Sequence, residues 1–357
     1  MTALTVPARP EEDDTRLRPV PWRRMAGVTW RQHRYALLGV VTLLGAVAVY
    51  LWIAGLQLHR AYAAAIACHP ARSPACQDLV NTFNGMGTFL ANGSILQALP
   101  ALIGAFVGAP VLARELETGT YRYAWTQGFG RWRWTLGKLV PLAIVVTAAA
   151  AAFSALLSWY YQPYLATPGH QALGLSQTSA FNGGLFDLRE VAFPAWTLAA
   201  FAIGALAGML IRRVVPAIVA TLAVYAGLAV TAGLFLREHY LTPLLTTNLT
   251  VPGSAWILSQ WWTKGGTTLS QSTIQQVMDP VMQRLLPAVP PDQVHLYKLP
   301  TILNAEQYLT QHGYTYWTRY QPGSRFWPFQ WIEGGWLLAL SALLIAATIW
   351  LVRRRAT

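Results

Sequence analysis

Six stretches of the chain, at about 35–58, 95–113, 139–161, 192–211, 214–236 and 334–352, contain no Asp, Glu, Lys, Arg or His. A bilayer core of ~30 Å needs ~20 apolar residues in a helix, so each stretch is long enough to cross one. Backbone polar groups inside a bilayer must bond within their own segment, which makes helices the expected element. The expected fold is therefore an all-α polytopic membrane protein with six transmembrane helices. The balance of 54% hydrophobic and 11% charged residues agrees, since soluble chains carry roughly 25% charged.

The distribution of basic residues sets the orientation. With the N-terminus inside, the segments 1–34, 114–138, 212–213 and 353–357 are cytoplasmic and hold 17 of the 26 Lys and Arg residues. The longer outside loops hold the other 9. Nearly all of the net charge of +12 then lies on the cytoplasmic side, and nucleic acid is not needed to explain it. The expected location is a bacterial plasma membrane, with both termini cytoplasmic. No cleavable signal is visible, because PARPEEDDTR occupies the place of a basic start and an apolar core.

Residues 1–19 read as a disordered cytoplasmic tail. In 20–34, Trp22, Met25, Ala26 and Trp30, with Leu37, fall on one side of a helix and Arg23, Arg24, Arg31 and Arg34 on the other. That pattern fits an interfacial amphipathic helix before the first span, or more simply a basic stop. Spans one to five and a cytoplasmic hairpin at 114–138 occupy 35–236. An extracellular region at 237–333 precedes the sixth span and basic end at 334–357. Within that region TLSQSTIQQVMDPVMQRLLP has a helical apolar face at Ile274, Val277, Met278, Val281 and Leu285. Trp327, Phe329, Trp331 and Trp336 are expected as an aromatic belt at the membrane surface. In the first outer loop, ACHPARSPAC allows a Cys68–Cys76 disulfide. Two free thiols is the alternative, because spacing does not fix the Cα separation.

Catalytic signatures are missing from the sequence. GFGRWRWTLGK has glycines and a lysine like a phosphate loop, but Gly130 lies too far from Gly137, and Lys138 is followed by Leu139. There is no HExxH, GxSxG or CxxC, and no metal-ligand cluster. Asp78 and Asp187 read as solvated loop carboxylates, with no second carboxylate or metal ligand paired with either. The spans carry no charge of their own, hence no evident energy source for an ion-driven carrier. They do carry GxxxG pairs, Gly104 with Gly108 and Gly204 with Gly208, suited to close packing within one bundle or across a dimer axis.

The segment RELETGTYRYAWTQGFGRWRWTLGK, at 114–138, is a charged and aromatic hairpin between two spans, shaped as a handle for another protein. Gly119 marks a bend or a close approach in it. The segment resembles the connection between the second and third spans of permeases of type-2 ABC exporters, particularly actinobacterial ones. Glu115, Glu117, Gly119, Thr120, Arg122, Gln127, Arg131 and Lys138 match the pattern, and RFWPFQWIEGGWLLALSALLIAATIWLVRRR is similar to the last span of that group.

The resemblance implies a permease that is not itself an enzyme. Export of an amphipathic or lipid-like substrate would be driven by a separate ATP-binding subunit, which binds ATP and Mg. Two copies of each subunit would assemble among membrane lipids, with the permease as a homodimer. Coupling to the ATPase is expected at Arg114, Glu115, Glu117, Gly119, Thr120, Tyr121, Arg122, Gln127 and Arg131. A substrate path is expected at Phe106, Thr221 and Tyr225. The alternatives are an ATP-independent channel or carrier, and a membrane-anchored extracellular enzyme or sensor.

Overall fold

The computed structural model describes residues 22–70, 73–86, 96–121, 131–165, 173–285 and 305–354. The expected tail at 1–19 and two coupling candidates, Arg122 and Gln127, lie outside them. The described chain is mostly helical. Six helices are long and apolar enough to cross a membrane: Leu37–Ala67, Ala98–Thr118, Arg131–Tyr164, Ala192–Ile211, Val214–His239 and Gly323–Arg354. Each contains most or all of one charge-free run, and the third and sixth extend past both ends of theirs. Lys138, Glu333 and Arg353, which border the third and sixth runs, thus sit on the helices, whereas Arg212 and Arg213 form the turn between the fourth and fifth.

The first span is the last part of a single helix, Trp22–Ala67. At 46 residues it is ~69 Å long, more than twice a bilayer core. The interfacial segment foreseen at 20–34 is continuous with the span. WRQHRYALLG, at 30–39, holds no proline and only one glycine, so nothing there ends a helix. Beyond Ala67 the Cys68–Cys76 disulfide, with a Cα separation of 5.6 Å, ties the helix end to the short helix Pro74–Gly85.

The fourth span is the core of the bundle and packs against the second, third, fifth and sixth. Ala199, Ala200, Phe201, Ala202 and Ala205 along it are wholly buried. Its glycines meet those of the second span. A Cβ on Gly104 would lie 2.5 Å from the carbonyl oxygen of Ala200, and one on Gly108 would lie 2.6 Å from that of Phe201. Reciprocally, a Cβ on Gly204 would collide with the Gly104 carbonyl, and one on Gly208 with that of Ala109. The two GxxxG motifs therefore face each other within one chain. At this crossing the second span forms a π-turn, Gly104–Gly108, closed by the Ala109 N–H on the Gly104 carbonyl. Pro110 follows and crowds the carbonyl four residues before it, which favours the wider turn.

The region 237–333 adds what the sequence reading did not assign, a four-stranded antiparallel sheet in the order β1-β4-β2-β3. The strands are β1 Leu244–Thr246, β2 Trp256–Lys264, β3 Thr267–Thr268 and β4 Tyr314–Gln321. Gly265 and Gly266, both at positive φ, make the tight hairpin between β2 and β3. The helix expected in this region is present as Gln271–Leu285, with Ile274, Val277, Met278 and Val281 half-buried.

The sheet is fastened to the bundle. Arg325 donates to the Thr242 carbonyl and to Gln321, both at 2.6 Å, and Gln321 donates to the Leu241 carbonyl at 2.7 Å. Trp256 packs beside Phe181 and Phe329 in an aromatic cluster. The aromatic belt is correspondingly split. Trp327 and Trp331 are exposed, whereas Phe329 is buried against Trp256 of β2 and Trp336 turns inward against Trp196 of the fourth span.

Candidate functional site

The bundle has two ends: a hairpin end, bearing Thr118, Arg131 and the Arg212–Arg213 turn, and a sheet end. Each end gathers polar side chains.

At the hairpin end the second span stops at Thr118, where Gly119 takes a left-handed conformation with φ of 74°. Nothing approaches the position of a Cβ there, so the glycine serves the bend and not a close contact. Glu115 forms an ion pair with Lys138 of the third span, and the side chains are only 15% and 6% exposed. The Lys138 ammonium also lies 4.6 Å from the centre of the Trp134 ring. Glu117 accepts the Val214 N–H at 3.0 Å and so caps the first turn of the fifth span. Thr29, on the helix of the first span, donates to the Gly137 carbonyl at 3.1 Å. The root of the hairpin is thus bonded to the first, third and fifth spans.

Glu115 is thus enclosed, although it lies beyond the charge-free run of the second span. Position 138 falls on the inner face of the third span, and its ammonium needs a counter-charge there. Arg114 and Thr120 are exposed, Tyr121 is half-buried, and Arg131 opens the helix of the third span.

At the sheet end a cavity of about 370 Å³ opens between the second, fourth and fifth spans and the segment 183–188. Tyr225, from the expected path, lines it. Thr221 and Phe106 are not on its wall. Thr221 is buried and donates to the Ala217 carbonyl one turn back, at 2.6 Å, and Phe106 is 56% exposed on the flank of the second span.

The cavity wall includes a cluster that sequence reasoning missed. Arg237 donates to Asp187 and makes a two-point contact with Glu333, Nε to Oε2 at 3.0 Å and Nη2 to Oε1 at 2.7 Å. Trp196 Nε1 donates to Glu333 Oε1 at 2.9 Å, and the Tyr240 hydroxyl donates to Oε2 at 3.2 Å. Gln97 donates to Asp187 Oδ2 at 3.2 Å. Burial pushes the Asp187 carboxyl up to about 7, and the neighbouring Glu333 adds to the rise while Arg237 opposes it. Asp187 is therefore not a lone solvated carboxylate. Its guanidinium partner is 50 residues away and the second carboxylate 96 residues beyond that, which hides the cluster from a reading of local spacing. The available signal was that Arg237 and Glu333 each directly border an apolar run.

Residues 41–237, over half of the chain, match the family described as ABC-2 membrane transporter related. The chain belongs to this family. No curated protein and no solved structure matches it. The chain is accordingly a multi-pass membrane permease of the ABC-2 type, a class of membrane subunit that works with an ABC ATPase. The matched residues include the hairpin, the paired GxxxG motifs and the cavity wall as far as Arg237, so both polar ends belong to the permease body. The sheet lies beyond the match.

Proposed function

We propose that this permease is the membrane half of an ATP-driven exporter, with the hairpin end in the cytoplasm and the sheet end outside. Two permease copies and two ATPase subunits form the working unit, and the ATPases bind ATP and Mg. Both chain termini are cytoplasmic in this arrangement, and the substrate is amphipathic or lipid-like.

The observation that carries the reading is the bonding at the hairpin root. Glu115 to Lys138, Glu117 to Val214 and Thr29 to Gly137 link the handle to three spans besides its own. A push on the hairpin by a closing ATPase is passed on to those spans as a group. The second and fourth spans are locked by their glycines, so the push reaches the sheet-end cavity through tightly packed backbone.

Co-purification tests this. Arg114→Ala combined with Arg122→Ala removes two charges at the handle while leaving the Glu115–Lys138 pair in place. A charge-assisted hydrogen bond contributes ~1.5–3 kcal/mol, so recovery of the ATPase with the permease should fall roughly tenfold or more. Normal recovery and normal export by the double variant would remove the coupling role from this segment.

A further inference from the structure

The sheet-end cavity has a definite chemistry. Two carboxylates, Asp187 and Glu333, share one guanidinium, so the cluster carries an excess negative charge when both are ionised. Glu333 is fully enclosed, and its two oxygens already accept from Trp196, Tyr240 and twice from Arg237. Arg237, among the described residues the only cation on the cavity wall, is engaged with both carboxylates and covered by the Phe186 ring at 4.3 Å. It has little to offer an anion. Asp187 differs from both. It remains a quarter exposed, lies on the wall, and among the described residues accepts from Arg237 and Gln97, whereas a carboxylate has about four acceptor sites. Beside it stand aromatic side chains, Phe193, Trp196 and Tyr225.

We propose that this cavity binds an organic cation with a compact apolar body, its charge held beside the Asp187 carboxylate and its body against the aromatic wall. Two carboxylates that share one guanidinium are stabilised by a further positive charge, and aromatic faces attract the same kind of ion. The cavity volume falls within the usual range for small-molecule sites. As a statement about a transported molecule, the inference rests on the exporter reading. As a statement about binding, it does not.

The binding depends on pH in a defined direction. The groups facing Asp187 are Arg237 and Tyr225 from the fifth span and Glu333 from the sixth; Gln97 faces it without charge. With the Asp187 carboxyl held near 7, the proton and the cation compete for one site. A permanently charged ligand should therefore bind more tightly as pH rises from about 6 to about 8.

The test uses the full-length permease in lipid nanodiscs without ATPase, titrated with phenyltrimethylammonium and with its neutral isostere tert-butylbenzene. The cation should bind roughly tenfold or more tightly than the isostere. Asp187→Asn should remove that advantage together with the pH dependence, while leaving the affinity for tert-butylbenzene unchanged. Gly233→Leu should weaken both ligands, because a side chain there meets nothing within 4 Å and extends into the cavity.

Equal affinity of the native protein for the two ligands would overturn the proposal. So would full cation affinity in folded Asp187→Asn. Should that variant fail to fold, undiminished cation binding by Gly233→Leu would overturn it instead. Failure of the native permease to co-purify with the ATPase, with cation binding intact, would count against the exporter reading alone, and native co-purification without cation binding against this inference alone.

Discussion

Truncating Glu115 is expected to destabilise the permease by ~2–4 kcal/mol. Lys138 is 5% exposed, and removing the only partner of a buried ion pair typically costs 3–5 kcal/mol. The Trp134 ring stays in place under the ammonium and offsets ~1 kcal/mol of that. At ~2 °C per kcal/mol for a chain of this size, Glu115→Ala should lower the midpoint of thermal unfolding by ~4–8 °C. Lys138→Met should cost less, ~1–2 kcal/mol, because the Glu115 carboxylate at 15% exposure can still reach water. Replacing both together, Glu115→Leu with Lys138→Met, exchanges the pair for apolar contact and should come close to wild type. Temperature-dependent loss of the monodisperse peak in size-exclusion chromatography measures all four proteins. The reasoning fails if Glu115→Ala melts within ~1 °C of wild type, or if the double variant loses as much as the two single changes added together.

Gly204→Val should abolish the folded protein, because its Cβ collides with the Gly104 carbonyl and the Ala109 and Gly108 backbone; recovery of a monodisperse protein would show that the spans can separate. Gly119→Val should cost ~1–2 kcal/mol for a branched residue at φ of 74°, and an unchanged melting midpoint would show that the hairpin root relaxes without strain. Mass spectrometry of the unreduced chain should find Cys68 and Cys76 linked. Replacing both by Ser should destabilise by ~2–3 kcal/mol on the loop-entropy account, and alkylation of both without reductant would contradict it.

The spans were readable from length and charge alone, because a bilayer demands long apolar segments whatever their tertiary partners. Partnership was not. Gly104, Gly108, Gly204 and Gly208 were recognisable as contact residues, but GxxxG does not encode which helix it meets. Glu115 lies beyond a run of apolar residues, with no sequence sign of enclosure, and only the third span brings Lys138 against it. Asp187 looked solitary for the same reason, with Arg237 and Glu333 distant in sequence.

The sheet had a local signal in Gly265-Gly266 between WWTK and TT. Runs of Trp and Tyr near a membrane fit an interfacial belt as well as a strand, which masks that signal. Trp327 and Trp331 do face outward, while Phe329 and Trp336 are taken up by the core.

Site-specific photo-crosslinking tests the central claim most directly. A benzoylphenylalanine placed at exposed Thr120, next to the Gly119 bend, is compared with one at exposed Ser272 on the helix Gln271–Leu285, with the cognate ABC ATPase co-expressed in each case. The account predicts an adduct with the ATPase from position 120 and none from position 272. An adduct from 272, or none from 120 while the ATPase co-purifies, would contradict it.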